Sequence, residues 1–242
     1  MIVVLCHSGD YSAQWVAERL RARTGELVEV VLVESLASPG TVWHQEIRDV
    51  GSHVAVTLDD GRKLRSGEVK GVLNRMIMPA EGVVRAAVEG DEGYARNELT
   101  SFAASWLRGL AARVVNPPTP QGLSGRWRPA TAWRVLAREA GLKIRHLALD
   151  STEPVSSHAD GGEPSTTVLT IGDMPLSDSL PTDVRAAAGR LAALANTPVL
   201  GLRFQGLDPN ASGWRFLDAT PYPDLTLAGE AGVEALQSEL SA

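Results

Sequence analysis

Cys6 and His7 are the first residues of the chain whose types suit covalent chemistry, a thiol beside an imidazole. A nucleophile and its base must lie within hydrogen-bond reach. Neighbours on a strand point to opposite faces, so a core position is the expectation for this single cysteine. Ser8-Gly9-Asp10 comes next. A phosphate at the helix start there would be opposed by Asp10, and the triplet reads as a turn and helix cap. His44, His53, His146 and His158 lack the short helical spacing of a metal pair, so no metal site is expected from them. Arg126, Arg128, Arg134 and Arg138 form the densest cationic group: the last two share a helix face and the first two precede it in a loop. Such a group suits a phosphate or carboxylate. A solvated face balanced by acids such as Glu139 is the plainer reading. Trp127, in a Gly/Arg/Pro loop, is the tryptophan expected at a pocket or interface.

Positioning these residues requires alternating strands and helices. Residues 2–5 form a short β-branched run that predicts a buried strand. Ala13, Val16, Ala17 and Leu20 recur at helical spacing, and 27–33 predicts a second strand, giving a β-α-β opening with a parallel pair. Asp59-Asp60-Gly61 between 53–58 and 63–69 predicts a hairpin, since Gly supplies the positive φ of a tight turn. A central strand over 71–74 ends on the polar pair Asn74-Arg75. A helix over 94–112 carries Leu99, Phe102, Ala103, Trp106 and Leu110 on one side, before a strand over 113–115. Asn116-Pro117-Pro118 stops regular structure. A helix over 130–140 and a strand over 143–149 follow. Residues 150–164, nearly without apolar side chains, predict a flexible connection. Strands over 166–171, 199–204 and 214–219 and helices over 182–195 and 230–240 complete the chain.

Composition narrows the partners. The net charge of −6 argues against nucleic acid and anionic membrane surfaces, which need a basic field. One cysteine forms no internal disulfide and suits a reducing cytoplasm. No apolar run approaches the roughly 20 residues of a membrane span, and Met1–Cys6 lacks the basic start of a signal peptide.

Taken in order, several segments resemble the ATP-grasp ligases, in particular the microviridin-type peptide ligases with a pre-ATP-grasp domain. The opening strand with Asp10, Asp60-Gly61-Arg62, Asn74-Arg75, Glu98 and Val115-Asn116-Pro117-Pro118 are similar to that N-terminal part. Pro198 to Phe204 followed by Phe216-Leu217-Asp218-Ala219-Thr220-Pro221 is similar to the paired strands that carry the family's metal ligands. The resemblance implies an α/β fold. A pre-ATP-grasp-like domain with a parallel or mixed sheet (1–118) leads to a helix and strand connecting segment (119–149), a flexible loop (150–165) and a reduced ATP-grasp-like α+β part (166–242). It implies two lysines on the ATP phosphates, yet the chain's lysines are Lys63, Lys70 and Lys143, none at a matching position. The small ATP-binding subdomain is expected to be missing. Where the family holds magnesium on an acidic residue and a Glu-x-Asn, this chain has Arg203, Asp218 and Thr220.

The leading expectation is therefore a catalytically degenerate binding or scaffold protein without a cofactor. Its partner would be a peptide or an active ligase, and it would form a homodimer in the cytoplasm. Arg75, Glu98, Asn116, Arg126 and Arg128 are the candidate ligand-binding residues, and Arg203 is expected to pair with Asp218 in place of a metal. Two alternatives stand beside it: a minimal carboxylate-amine ligase using ATP and magnesium, with arginines on the phosphates, and a small-molecule enzyme with a repurposed cleft.

Overall fold

The computed structural model describes residues 1–80, 90–145, 165–177, 179–205 and 213–241. These form two compact units, one of Met1–Trp127 with Asp224–Ala242, the other of Arg128–Pro223.

In the first unit, β1 (Ile2–Cys6) leads through α1 (Tyr11–Arg23) to β2 (Val28–Leu32), the expected parallel crossover. β3 (Val42–Ile47), β4 (Ser52–Thr57) and β5 (Lys63–Arg65) make a separate antiparallel sheet. Gly61, at φ 86°, turns β4 into β5, which stops at Arg65. β6 (Gly71–Asn74), α2 (Glu92–Leu110) and β7 (Arg113–Val115) follow, and the main sheet is parallel in the order β2-β1-β6-β7. All five residues of β1 are buried, as a strand covered on both faces requires. Val3, Leu5 and Val72 join Val54, Val56 and Leu64 of the small sheet and Trp106, Leu107 and Leu110 of α2 in one core. Each such fully buried aliphatic side chain is worth about 1.5–3 kcal/mol. α5 (Gly229–Ser241) packs against β6, β7 and α1.

In the second unit, α3 (Ala130–Glu139) and α4 (Thr182–Ala195) pack on an antiparallel sheet. Its strands are β8 (Ser165–Ile171), β9 (Met174–Leu176), β10 (Val199–Gln205) and β11 (Arg215–Thr220), in the order β11-β10-β8-β9. Ala187, Ala188 and Ala192 let α4 approach the sheet, where Phe204, Trp214 and Phe216 fill the core edge to face.

Several expectations change. β3 and β9 are additional strands. The closing helix α5, placed by sequence within 166–242, clusters with the first unit because its apolar stripe docks on β6 and β7. Of the strand expected over 143–149, the described part meets β11 only as a bridge between Ile144 and Phe216. The loop over 150–164 lies outside the described residues.

Candidate functional site

The first unit's sheet reverses its strand order between β1 and β6, and the carboxyl ends of strands at such a point form the usual ligand crevice of an open α/β sheet. An internal ion pair fills it. Asp10 caps α1 by accepting from Ala13 N at 3.1 Å and Ser12 Oγ at 2.8 Å. The guanidinium of Arg75, one residue past β6, reaches the same carboxylate through Nε at 2.7 Å and Nη2 at 3.2 Å. Both side chains are buried, 2% and 3% exposed. Charges this deep persist only when paired and hydrogen-bonded.

Asn74, the last residue of β6, ties the following loop to this crevice. Its amide donates to Asn116 O at 2.8 Å and Leu123 O at 2.6 Å, and Ser124 Oγ donates to Asn74 O at 2.9 Å. Asn116 itself is left-handed at φ 56°, a conformation that asparagine tolerates better than most residues.

Beside the ion pair opens a cleft of about 880 Å³, lined among others by His7, Glu34, Ser38, Asp59, Asp60 and Met78. Glu34 accepts from Ser8 N at 3.1 and 3.2 Å and from Ser8 Oγ at 3.2 Å, and lies 3.4 Å from His7 Nδ1. Burial pushes its carboxyl up, but backbone and Ser8 hydrogen bonds with the His7 ring outweigh this and hold it below the ordinary range. Asp59 accepts from Ser38 Oγ at 2.6 Å. Asp60 is offset by Arg62 at 2.7 Å. Cys6, one residue from His7, is fully buried, and its thiol is pushed up to about 12 by burial above all, with Asp10 adding to it. It is no nucleophile in this form.

In the second unit, Arg203 and Asp218 face each other across β10 and β11. Nη2 donates to Oδ2 at 2.6 Å and Nε to Oδ1 at 3.2 Å, a two-point fork on one carboxylate. The pair is 36% and 39% exposed. Thr220, two residues on and so on the same strand face as Asp218, is exposed and accepts from Tyr222 N at 3.1 Å. Arg128 donates to Ala195 O at 2.9 Å and lies 5.0 Å over the Trp133 ring.

Of the residues singled out by sequence, Arg75 and Asn116 come to the same strand-end cluster, and Arg203 meets Asp218. Glu98 is exposed on α2, and Arg126 is exposed in the first unit. Arg134 donates to Leu217 O at 3.3 Å, and Arg138 is exposed. Glu34, Asp59 and Ser38 were not foreseen; for Glu34 and Asp59 the position two residues after a strand was the only signal, and Ser38 follows a short 3-10 turn. Among the described residues, no group of three or more His, Cys, Asp or Glu is placed to hold a metal ion, and no helix is long and apolar enough to cross a membrane.

No protein-family model matches the chain, and no curated protein sequence does. Solved structures do. The macrocyclase MdnC of Microcystis aeruginosa, bound with its precursor peptide MdnA, is 13% identical with a TM-score of 0.71, over 99% of this chain and 98% of its own. MdnB of the same organism is 16% identical with a TM-score of 0.67 over 99% and 98%. The RiPP-associated ATP-grasp ligase of Chryseobacterium gregarium, in complex with ADP and a leader and core peptide, is 12% identical with a TM-score of 0.61 over 99% and 94%. The chain thus has the fold that these macrocyclases and ATP-grasp ligases share.

Proposed function

We propose that this ATP-grasp-fold chain is a peptide-binding protein, a scaffold partner in peptide modification whose metal end is closed by an internal ion pair. One observation carries the reading: the guanidinium of Arg203 engages both oxygens of Asp218. The resemblance puts these two residues, with Thr220, where magnesium would be held. Magnesium demands a near-octahedral shell of hard oxygens, usually with carboxylates. Here one carboxylate is already matched by a cation, and the nearby hydroxyl of Thr220 brings no charge to offset like-charge repulsion between Arg203 and a metal. These residues do not fit the ion, and no step through ATP follows from them. The lysines add nothing: Lys63 lies on β5, Lys70 pairs with Glu26 at 2.7 Å, and Lys143 precedes the bridge to β11.

The peptide is suggested by two of the structural neighbours, MdnC bound with a precursor peptide and the Chryseobacterium gregarium ligase in complex with a leader and core peptide. An active ligase or a second copy of this chain, in the cytoplasm, completes the reading as protein partner. Calorimetry with ATP and magnesium should give no saturable heat at millimolar nucleotide. A low-micromolar Kd abolished by Asp218→Asn would overturn the reading. Co-purification from the native host with mass spectrometry tests the peptide arm independently.

A second reading, the minimal ATP- and magnesium-dependent ligase, is favoured by the fold match to a ligase holding ADP and magnesium. The same calorimetry separates the two.

A further inference from the structure

Within the first unit, a second and separate cavity of about 240 Å³ opens beside the acidic cleft. Trp43 of β3 and Leu99, Phe102, Ala103 and Trp106 of α2 form most of its wall. The aromatic rings are set edge to face, Trp43 with Trp106 at 4.8 Å and 73°, and Trp43 with Phe102 at 5.2 Å and 68°. They make a stiff box rather than a collapsible gap. An apolar cavity of about 150 Å³ already takes benzene, so this one has room for a phenyl or indole side chain. Protein interiors are otherwise close-packed, and an open void in so rigid a wall forgoes contact energy that an inserted group would recover. The side chains that form its wall are apolar or aromatic, which suits an apolar group.

Charge narrows the occupant further. Pro79 and Ala80 line both the apolar cavity and the acidic cleft. With Asp60 offset by Arg62, the cleft still presents Glu34 and Asp59, whose side-chain partners are the hydroxyls of Ser8 and Ser38 and the His7 ring. Anionic ligands, fatty acids and nucleotides among them, would meet like charge at that lip. A cation would meet opposite charge.

We infer that this cavity and its acidic lip form the anchoring site for a peptide segment in which a large apolar side chain, best an aromatic one, adjoins lysine or arginine. The ring would fill the Trp43–Trp106 box, and the cation would lie over Glu34 and Asp59. This rests on the peptide-binding reading and adds to it a site, in the first unit, and a residue preference.

The test uses the full chain and a blocked synthetic peptide, Gly-Ser-Phe-Arg-Gly-Ser, followed by calorimetry. Saturable binding is expected, weakened about tenfold when the peptide's Phe becomes Ala and about threefold when its Arg becomes Gln. Ala103→Leu, which fills the box, should weaken binding as the Phe exchange does. Should that variant fail to fold, the exposed Asp59→Asn, expected to lose about threefold for the Arg peptide and nothing for the Gln peptide, keeps the question answerable. Equal affinity for all three peptides, or no saturable binding, would overturn the site. Replacing the peptide's Phe by benzoylphenylalanine and mapping the photo-cross-link separates the two proposals. A cross-link on α2 or β3 supports the site, whereas one within residues 128–223 overturns it and leaves the peptide-binding reading intact.

Discussion

Arg75 and Arg203 each place a two-donor fork on one carboxylate, Asp10 and Asp218, but in different solvent. The first pair is 2% and 3% exposed and the second 36% and 39%. Removing Arg75 strands a buried anion, so Arg75→Ala should cost about 3–5 kcal/mol. Arg203→Ala should cost under about 1 kcal/mol because water replaces the partner. Urea denaturation of both variants measures this, and equal losses would refute the role of burial. Cys6 belongs to the same scale. With its thiol pushed up to about 12, chiefly by burial, the thiolate is scarce at any ordinary pH. Folded protein at pH 8 should resist a thiol-specific dye over hours and react fully once unfolded; prompt reaction of the folded form would place Cys6 in contact with solvent. The sequence alone made the Arg203–Asp218 pair legible, because two strands joined by one loop leave few registers and the resemblance chose among them. It did not reveal that Arg75 reaches Asp10, since nothing in either segment records that α1 starts beside the end of β6.

α5 approaches the main sheet closely at β6. A Cβ added at Gly71 of β6 would run into the carbonyl oxygen of Leu240, with that residue's C and Cα at 3.1 and 3.2 Å. Backbone cannot step aside as a flexible side chain does, so Gly71→Ala should destabilise by about 1–3 kcal/mol. Amide exchange over α5 should accelerate with the drop in Tm; an unchanged or raised Tm would show that the helix does not depend on this approach. Arg113 adds to the same seam through Nε to Glu239 O at 2.7 Å and Nη2 to its carboxylate at 3.1 Å. Elements with clean periodicity were legible from sequence: α4 spans the expected residues, and β1, β6, β7 and β10 lie within a residue or two of them. β3 was not, because the order Val-Trp-His-Gln-Glu-Ile runs apolar, polar, apolar in blocks and hides the alternation of exposed and half-buried residues over 42–46. β9 is three residues long with Pro175 in its middle, an edge strand with almost no pattern to read.

At the scale of the molecule, the functional surfaces of the first unit are assembled from segments far apart in sequence. His7, Glu34 and Asp59 follow three different strands, and Trp43 meets Trp106 across the small sheet and α2. Only the strand order brings them together, which is why the acidic cleft and the aromatic box left no motif behind while Asn74-Arg75 did.

The chain leaves the first unit after Trp127 and returns to it at Asp224. On the ribosome, then, β1 through β7 emerge early but lack the helix that covers β6 and β7 until the last residues described have been made. At roughly 5–20 residues per second, the intervening segment alone delays that closure by several seconds. The second unit, by contrast, is one continuous stretch and needs no later segment. A chain without α5 would keep α1 over β1 and β2 but leave β6 and β7 without the helix that packs on them, the stage at which a chaperone has most to bind.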